Sequence, residues 1–266
     1  MPELPDVEVF RRYMDATALH QTVAEVVTAD ARVVQGATPA DLATFLRGRR
    51  FERTERHGKH LFAAVDGDGW LELHFGMTGF LRYYQGADAA PAHGHVRFRF
   101  DNGYELAFVD RRKLGHVAPV ADLAAYLGEL ELGVDALDPG LDAAAFRELA
   151  NGRRGQVKCW LMDQATLAGL GNVYSDEVLF QAGIHPRQRL ERLEARELDA
   201  IHAALGDVLQ AAIAARVEPA ELPAGFLLPL RDAEGAHCPR CGSELATVKA
   251  CGRTAHYCPR CQAAPD

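Results

Sequence analysis

The sequence predicts an α+β protein of 266 residues in which strands and helices occupy different parts of the chain. Short alternating patterns of apolar and polar residues between about 22 and 118 predict antiparallel strands in two sheets. Helical patterns dominate from 141 to 215. The C-terminal segment carries two pairs of cysteines at the spacing of a metal site. Together these features predict a sheet part with an N-terminal helix, a helical part and a small metal-binding finger.

The first predicted element is a helix near the N-terminus. Apolar residues between Val7 and Met14 roughly fit one helical face, and Pro5 suits a first turn. Strands are predicted at 62–65, 71–75, 95–100 and 106–109. Asp-Gly and Asn-Gly sequences at 66–69 and 101–103 supply turns between them. We expect few other helices in this part of the chain.

The strand signal ends near residue 119. Acidic sequence rich in Ala and Leu, broken by Gly133, Pro139 and Gly140, predicts a linker that leads into a helix. Helices are expected at 142–151, 156–165, 173–182 and 190–214, followed by a Pro-, Ala- and Gly-rich connector at 217–236. The expected boundaries are 1–118 for the N-terminal domain, 119–140 for the linker, 141–222 for the helical domain and 223–266 for the finger.

The composition, with 48% hydrophobic and 25% charged residues, is ordinary for a globular protein. No apolar run reaches the ~18 residues that a membrane helix needs, and the N-terminus lacks the regions of a signal peptide. We therefore expect a cytoplasmic protein. Six cysteines in such a chain indicate metal ligands or free thiols rather than disulfides.

The charge is unevenly distributed. A net charge of −8 argues mildly against a nucleic-acid partner. Residues 121–150 hold seven acids and one base, whereas residues 47–60 hold six bases and two acids, and residues 238–266 hold four bases and two acids. The sign of the local charge, rather than the net charge, decides whether a surface attracts an anion. The two basic segments therefore remain compatible with a nucleic-acid partner.

The motif Cys-Pro-Arg-Cys occurs twice, and sixteen residues separate the two copies. Two residues between cysteines let both thiolates reach a tetrahedral ion about 2.3 Å away. The sequence therefore predicts one structural zinc ion held by Cys238, Cys241, Cys258 and Cys261. Three nearby residues are also potential ligands, but we expect none of them to bind the ion: His237, Cys251 and His256.

The residues between the cysteine pairs are expected to form a hairpin. Its exposed bend would contain Cys251, Gly252 and Arg253. An exposed arginine is usually only solvated, but on a metal-stapled finger it is well placed to bind phosphate.

The start Met-Pro-Glu gives the N-terminus a distinctive chemistry. Aminopeptidases generally remove a methionine that precedes proline, which would leave Pro2 as a secondary amine beside Glu3. An α-amino group titrates near pH ~7.7–8.0, and its attack on an aldehyde-like carbon gives an iminium ion that acts as an electron sink. A lone Met-Pro more often just opens a strand or loop, so this interpretation depends on the rest of the chain.

Glycine-rich turns flank several predicted elements. Gly169 and Gly171 precede a helix that starts near Asn172, where backbone N–H groups can bind an anion, although a plain tight turn explains the same pattern. The segments 76–79 and 110–115 each follow a strand and carry apolar residues near cations. Such a residue is normally part of a core, but it can also be a wedge that enters a base stack.

Together these residues resemble the formamidopyrimidine-DNA glycosylase / endonuclease VIII family of bifunctional DNA repair enzymes. The likeness covers nearly the whole chain. It rests on the Pro-Glu-Leu-Pro start, Gly58-Lys59, His74 with Gly-Met-Thr-Gly, the 110–115 loop, 161–164 leading into Gly-Leu-Gly-Asn-Val-Tyr, and Gly252-Arg253 before Cys-Pro-Arg-Cys-Gln. The resemblance implies an N-terminal antiparallel β-sandwich, a linker, a helix–two-turn–helix domain and a zinc-ribbon finger. It also implies a monomer that holds damaged double-stranded DNA in a cleft and associates with the nucleoid.

The resemblance also implies roles for individual residues. Pro2 would be the nucleophile and Glu3 the proton-transfer partner. Four residues would hold phosphates around the damaged nucleotide: Lys59, which is also counted with the catalytic residues, His74, Asn172 and Arg253. Three others would fill the gap left by the extruded base: Met77, Arg112 and Leu114. Attack of Pro2 on C1′ would release the base, and the iminium would allow elimination of the 3′ and then the 5′ phosphate. Zinc would be structural, and no redox cofactor would be needed.

Three departures from the family pattern bear on the substrate. Residue 6 is Asp where the family's usual start has Glu, and Leu114 stands where the purine-repair branch commonly has Phe. The connector before Cys238 is short and lacks a clear match to the loop that covers 8-oxoguanine in that branch. Oxidised purines such as 8-oxoguanine and formamidopyrimidine lead our expectation, followed by oxidised pyrimidines or a broad range of lesions. Two alternatives are a protein that binds damage without cutting and a zinc ribbon that acts through protein contacts, which leaves residues 1–180 unexplained.

Overall fold

The structure, a computed structural model, describes residues 1–265. It contains two compact units, one of residues 1–2 and 6–131 and the other of residues 3–5 and 132 onward. Within the described residues, no helix is both long and apolar enough to cross a membrane.

The first unit contains two four-stranded antiparallel sheets. Its strands are β1 (Val23–Thr28), β2 (Phe51–His57), β3 (His60–Val65), β4 (Trp70–His74), β5 (Gly79–Gln85), β6 (Gly94–Phe100), β7 (Tyr104–Asp110) and β8 (His116–Val120). One sheet has the order β1-β6-β7-β5 and the other β2-β3-β4-β8. The helices are α1 (Leu4–Thr17), α2 (Pro39–Leu46) and α3 (Leu123–Glu129).

The inner faces of both sheets form one hydrophobic core. Leu71 and Leu73 of β4 are fully buried, as are Val96 and Phe98 of β6, because residues two apart on a strand point to the same side. Met14 of α1 packs in the same cluster. The predicted α+β class with an N-terminal β-sandwich is confirmed.

Several elements of this unit were not predicted from the sequence. The predicted strands correspond to β3, β4, β6 and β7, while β1, β2, β5 and β8 were missed. In β2 only Phe51 and Thr54 are buried, so its apolar alternation is weak. Helix α2 was also missed, although it has a local start signal. The Thr38 hydroxyl accepts a hydrogen bond from the Asp41 N–H, and the Asp41 carboxylate accepts one from the Thr38 N–H, which is a capping box.

The second unit is mainly helical. Its helices are α4 (Ala143–Ala150), α5 (Val157–Leu161), α6 (Asn172–Ala182) and α7 (Ala195–Ala214), and two-residue strands β9 (Val134–Asp135) and β10 (Leu167–Ala168) pair in parallel. Buried residues of α7 at helical spacing, Ile201, Leu205 and Leu209, pack in one cluster with Val178 of α6. Strands β11 (Ala246–Ala250) and β12 (Arg253–Tyr257) form an antiparallel hairpin in the C-terminal finger.

The four helices predicted for this region are present with different limits. The helix expected at 156–165 ends at Leu161, and the one expected at 190–214 begins at Ala195 after a short 3-10 turn. The predicted linker, 119–140, contains α3 and β9 and is therefore partly structured. The domain boundaries stay a prediction.

Candidate active site and zinc centre

The four predicted zinc ligands lie together in the second unit. Their Sγ atoms are all within 4.8 Å of one another. The Sγ atoms of Cys238 and Cys261 are 3.8 Å apart, and those of Cys241 and Cys258 are 3.5 Å apart. A tetrahedral thiolate shell with Zn–S bonds of about 2.3 Å places its sulfurs about 3.8 Å apart. The donor set therefore fits one structural zinc ion, with no coordination position left for catalysis.

The finger is attached to α6 by contacts next to these cysteines. The fully buried Gln262 donates a hydrogen bond to the Ile184 carbonyl (2.8 Å) and accepts one from the Cys258 N–H (2.9 Å). The Arg240 guanidinium lies 4.6 Å from the centre of the Phe180 ring, a cation–π contact. Zinc binding and the placement of the finger on the helical unit are thus coupled.

The other two cysteines correct an expectation from the sequence. The six cysteines were expected to be metal ligands or free thiols, but Cys159 and Cys251 form a disulfide across 92 residues of sequence. Cys251 lies outside the metal cluster, as expected of a bystander. Pairing of two cysteines this far apart is set by tertiary structure, so no local spacing could have revealed it.

Glu3 is the best-defined residue of the candidate active site. It directly follows the half-buried Pro2, and it is 1% exposed. The Glu3 carboxylate accepts hydrogen bonds from the backbone N–H groups of Gly171 (2.7 Å), Val173 (2.9 Å) and Tyr174 (3.2 Å). These N–H groups form the N-terminus of α6, where unpaired donors and the helix dipole favour an anion. The sequence left two interpretations of the turn at 169–172 open, an anion site and a plain tight turn, and in the structure it binds the carboxylate of the chain itself.

Both glycines of this turn are required by close packing against residues 3–4. A Cβ atom on Gly171 would overlap the Glu3 carboxylate, and one on Gly169 would overlap the Leu4 side chain. Gly169 also has φ +117°, a conformation that other residues rarely adopt. The glycines therefore let Glu3 approach the helix N-terminus.

A buried ionic network beneath the same turn was not predicted from the sequence. The fully buried Lys158 ammonium donates to Asp176 Oδ1 (2.6 Å), to Ser175 Oγ (2.6 Å) and to the Asn172 carbonyl (3.0 Å). Arg231 Nε donates to the other Asp176 oxygen at 3.1 Å. Burial lowers the pKa of Lys158, while Asp176 acts in the opposite direction. A lysine among the apolar residues of α5 was the one local sign of this network.

Asn172 and Arg253 lie on neighbouring elements of the second unit. The Asn172 side chain donates a hydrogen bond to the Thr254 carbonyl (3.1 Å), which joins the start of α6 to β12. Its Oδ1 atom is buried without a hydrogen-bond partner. Arg253 is exposed at the start of β12, directly after the turn of residues 251–252, whereas the sequence prediction had counted it in the bend itself.

In the first unit, Lys59 and His74 lie near the ends of strands. Lys59 is half-buried in the two-residue turn between β2 and β3. His74 ends β4, and strand pairing places it opposite His60 on one side and His116 on the other. The His74 Nδ1 atom is buried without a hydrogen-bond partner. Burial, followed by the nearby His60 and His116, lowers the pKa of His74 to about 4, so the imidazole is neutral at pH 7.

A fully buried carboxylate supports this row of histidines. Glu72 accepts hydrogen bonds from His60 (2.7 Å), His116 (3.1 Å) and the Tyr126 hydroxyl (2.6 Å). Burial alone would raise the pKa of Glu72, but these hydrogen bonds outweigh it and hold the pKa well below its usual range. The sequence analysis did not identify this cluster.

The expected gap-filling residues lie in two loops that are joined by Asp110. Met77 is 37% exposed, Leu114 is 51% exposed, and Arg112 is exposed. The fully buried Asp110 carboxylate accepts hydrogen bonds from the Thr78 hydroxyl (2.5 Å) and from the N–H groups of Arg112 (3.1 Å), Leu114 (2.8 Å) and Gly115 (2.8 Å). The two apolar side chains are therefore exposed on a loop framework that is fixed from beneath.

Three family models match successive parts of the chain. The formamidopyrimidine-DNA glycosylase N-terminal domain matches residues 1–117, and the formamidopyrimidine-DNA glycosylase H2TH domain matches residues 132–220. A zinc finger found in FPG and IleRS matches residues 237–264.

Relatives and solved structures agree with these matches. A formamidopyrimidine-DNA glycosylase of Moorella thermoacetica is 36% identical, with 98% of this chain and 92% of that protein covered. One of Mycolicibacterium paratuberculosis is 34% identical, with 100% and 99% covered. The Lactococcus lactis Fpg bound to DNA containing N7-benzyl-Fapy-dG superimposes with a TM-score of 0.91 at 28% identity, with 99% of this chain and 100% of that chain covered.

The fold, the cysteine cluster and these likenesses define a DNA glycosylase of base excision repair that is also a lyase at abasic sites. The chain belongs to the formamidopyrimidine-DNA glycosylase family. The expected zinc ion, four-cysteine site and enzyme class are confirmed.

Proposed function

We propose that this glycosylase removes oxidised purines from duplex DNA, with Pro2 as nucleophile after removal of Met1. The observation that carries the proposal is the position of Glu3. The carboxylate that follows the proposed nucleophile is buried and held by three backbone N–H groups. A positioned carboxylate next to a secondary amine is what proton transfer during iminium chemistry requires.

The reaction begins when the damaged nucleotide is turned out of the base stack, at a cost of a few kcal/mol. The Pro2 nitrogen attacks C1′ of the deoxyribose while Glu3 assists ring opening, and the base departs. The resulting iminium acidifies C2′, and loss of the C2′ proton expels the 3′ phosphate. The conjugated iminium that remains then loses its C4′ proton and expels the 5′ phosphate. Water hydrolyses the remaining link and restores the free amine.

The DNA contacts are assigned from the family motifs that this chain carries at these residues. We assign Lys59, His74, Asn172 and Arg253 to phosphates around the lesion. The unpartnered His74 Nδ1 atom supports its assignment, because buried polar atoms normally have partners and an imidazole N–H donates to a phosphate oxygen. Met77, Arg112 and Leu114 fill the space left by the extruded nucleotide. We further propose that the protein acts as a monomer on nucleoid DNA in the cytoplasm.

The substrate assignment rests on the relatives, which are named formamidopyrimidine-DNA glycosylases. Recognition of a broader range of lesions is the second candidate because residue 114 is Leu. An aliphatic side chain stacks on an orphan base less well than an aromatic ring does. Incision rates on duplexes with 8-oxoguanine, formamidopyrimidine or thymine glycol test this directly. Faster cutting of thymine glycol than of either purine lesion would overturn our assignment.

The nucleophile is tested by borohydride reduction with an abasic-site duplex, followed by peptide mass analysis. We expect a covalent adduct on the Pro2 peptide. A Pro2→Gly variant that retains Met1 should give no adduct while it still binds the duplex. Trapping through a lysine, or from a protein that still begins with methionine, would contradict the mechanism.

A further inference from the structure

The disulfide between Cys159 and Cys251 joins two elements next to the proposed DNA contacts. Cys159 lies on α5 beside Lys158, whose ammonium binds the Asn172 carbonyl. Cys251 lies in the hairpin turn, two residues before Arg253. The Cα atoms are 5.4 Å apart, within the usual range for disulfides. Neither cysteine belongs to the zinc cluster.

The backbone at Cys251 has a conformation that a cysteine rarely adopts. Cys251 and Gly252 form the two-residue turn between β11 and β12, with φ +52° and +68°. Such turns favour Asn-Gly, Asp-Gly or Gly-Gly, because residues with a Cβ atom are strained at positive φ. A cysteine is a poor turn residue here, and its link to Cys159 gives a reason for its presence.

The hairpin is also held by weaker contacts on both sides of the disulfide. The Cys251 N–H donates to Gln156 Oε1 at 3.3 Å, a long hydrogen bond. The half-exposed Arg187 donates to the Lys249 carbonyl (2.7 Å), and Asn172 donates to the Thr254 carbonyl (3.1 Å). The pairing of β11 with β12 and the zinc site shape the hairpin itself, whereas these single hydrogen bonds at a partly solvated surface and the disulfide fix its turn against the helical unit.

We propose that Cys159 and Cys251 form a reversible thiol–disulfide site whose oxidised form strengthens DNA binding by fixing the hairpin that carries Arg253. This inference rests on the phosphate-binding role given to Arg253 under the proposed function. The gain comes from preorganisation, because an arginine on a fixed turn loses less conformational entropy when it binds a phosphate. Disulfides in reducing compartments are usually transient or redox-sensing, which fits a reversible bond.

The oxidant is a low-molecular-weight disulfide of the glutathione class. The exposed Cys159 thiolate attacks one sulfur of that disulfide and releases one small thiol, which leaves a mixed disulfide on the protein. The Cys251 thiolate then displaces the second small thiol and forms the protein bond. Both cysteines are oxidised together by two electrons, their two protons go to the released thiolates or to solvent, and the oxidant becomes two thiols. Excess small thiol reverses both steps.

The test uses the full-length, zinc-loaded protein equilibrated in glutathione buffers from fully reduced to fully oxidised. Alkylation and peptide mass analysis measure the Cys159–Cys251 bond, and zinc content is measured in each sample. Fluorescence anisotropy then gives the Kd for a duplex with a tetrahydrofuran abasic analogue. We expect the oxidised protein to bind about fivefold more tightly than the reduced protein, at equal zinc content.

Two single variants separate this bond from the zinc thiolates. Cys159→Ala keeps a good helix former in α5, and Cys251→Gly places a residue suited to positive φ in the turn. Each should bind DNA like the reduced wild-type protein and show no response to the buffer. Arg253→Ala should form the bond but lose most of the redox response.

Three outcomes would overturn the inference: absence of the bond in oxidising buffer, a bond that leaves the Kd unchanged, or a redox response that persists in Cys159→Ala. Failure of the proposed mechanism is a separate result. It would appear as absence of borohydride trapping through Pro2, whatever the redox dependence of binding.

Discussion

Glu3 combines two properties that a proton-transfer group needs, a fixed position and a lack of competing solvent. Its carboxylate occupies a helix N-terminus, where the donors are backbone groups that cannot rotate away. Pro2, the adjacent residue, contributes only its ring nitrogen to the proposed chemistry. The sequence identified both residues through the family resemblance and offered the turn at 169–172 as a candidate anion site, but it did not connect that turn with Glu3.

Replacement of Glu3 by Gln should separate DNA binding from chemistry. We expect base excision to slow by about 100-fold or more, because the amide cannot transfer a proton. The Kd for a lesion duplex should change little. Single-turnover kinetics on an 8-oxoguanine duplex, with the enzyme in excess, measure the rate.

The matched control is Glu177→Gln. Glu177 is also buried on α6, and its carboxylate accepts backbone hydrogen bonds from Leu227 (3.2 Å) and Leu228 (2.7 Å). This variant should lose stability but keep its excision rate per folded molecule. Equal slowing in both variants would show that Glu3 has only a structural role.

Asp110, the last residue of β7, holds the loop that follows this strand in place. Burial tends to raise the pKa of Asp110, but the hydrogen bonds from Thr78 and from the loop N–H groups lower it overall. Its folded-state pKa therefore lies below the ordinary value of 3.8. The ionised carboxylate stabilises the fold above that ordinary value, and this contribution is lost as the pH falls through the lower folded-state pKa.

Asp110→Asn should lower the free energy of unfolding by about 2–3 kcal/mol at pH 7, because an amide offers one acceptor oxygen to four donors. The difference from the wild-type protein should shrink as the pH falls below 3.8. Urea unfolding at pH 7 and pH 3 measures both effects. Thr78→Val removes one of the four donors and should cost less than Asp110→Asn. A difference that grows on acidification would contradict this account.

Local patterns predicted some elements well and missed others for identifiable reasons. The cysteine spacing and the bend before Arg253 could be predicted because all the residues involved are close in sequence. Strand β2 could not, since its pattern is mostly charged. Glu72, Lys158 and the Cys159–Cys251 bond depend on partners 44, 18 and 92 residues away, respectively, and only tertiary structure brings such residues together.

In the molecule as a whole, zinc holds the C-terminal finger in its folded form, and the folded finger is attached to the helical unit through Gln262 and Arg240. A finger of this size buries little apolar surface, so its folding depends on the metal. Removal of zinc with a strong chelator, from protein in which the Cys159–Cys251 bond is reduced, should disorder the hairpin while the sandwich keeps its strands. DNA binding should weaken about tenfold or more through loss of the Arg253 contact.

Circular dichroism and hydrogen exchange measure these structural effects, and a chromogenic assay should find one zinc ion per chain. Re-addition of zinc should restore both the protection of β11 and β12 and the affinity for the lesion duplex. Persistent protection of the hairpin in metal-depleted protein would show that the finger folds without its ion.

The ionic triad of Lys158, Asp176 and Arg231 has an evolutionary consequence. Loss of one member leaves an uncompensated charge in the interior, which typically lowers the free energy of unfolding by about 3–5 kcal/mol. Replacement of all three members by well-packed apolar residues is tolerated much better. Each single substitution in the triad is therefore strongly destabilising. Lineages that abandon the triad must exchange its members almost together, so the three positions should be inherited as a set.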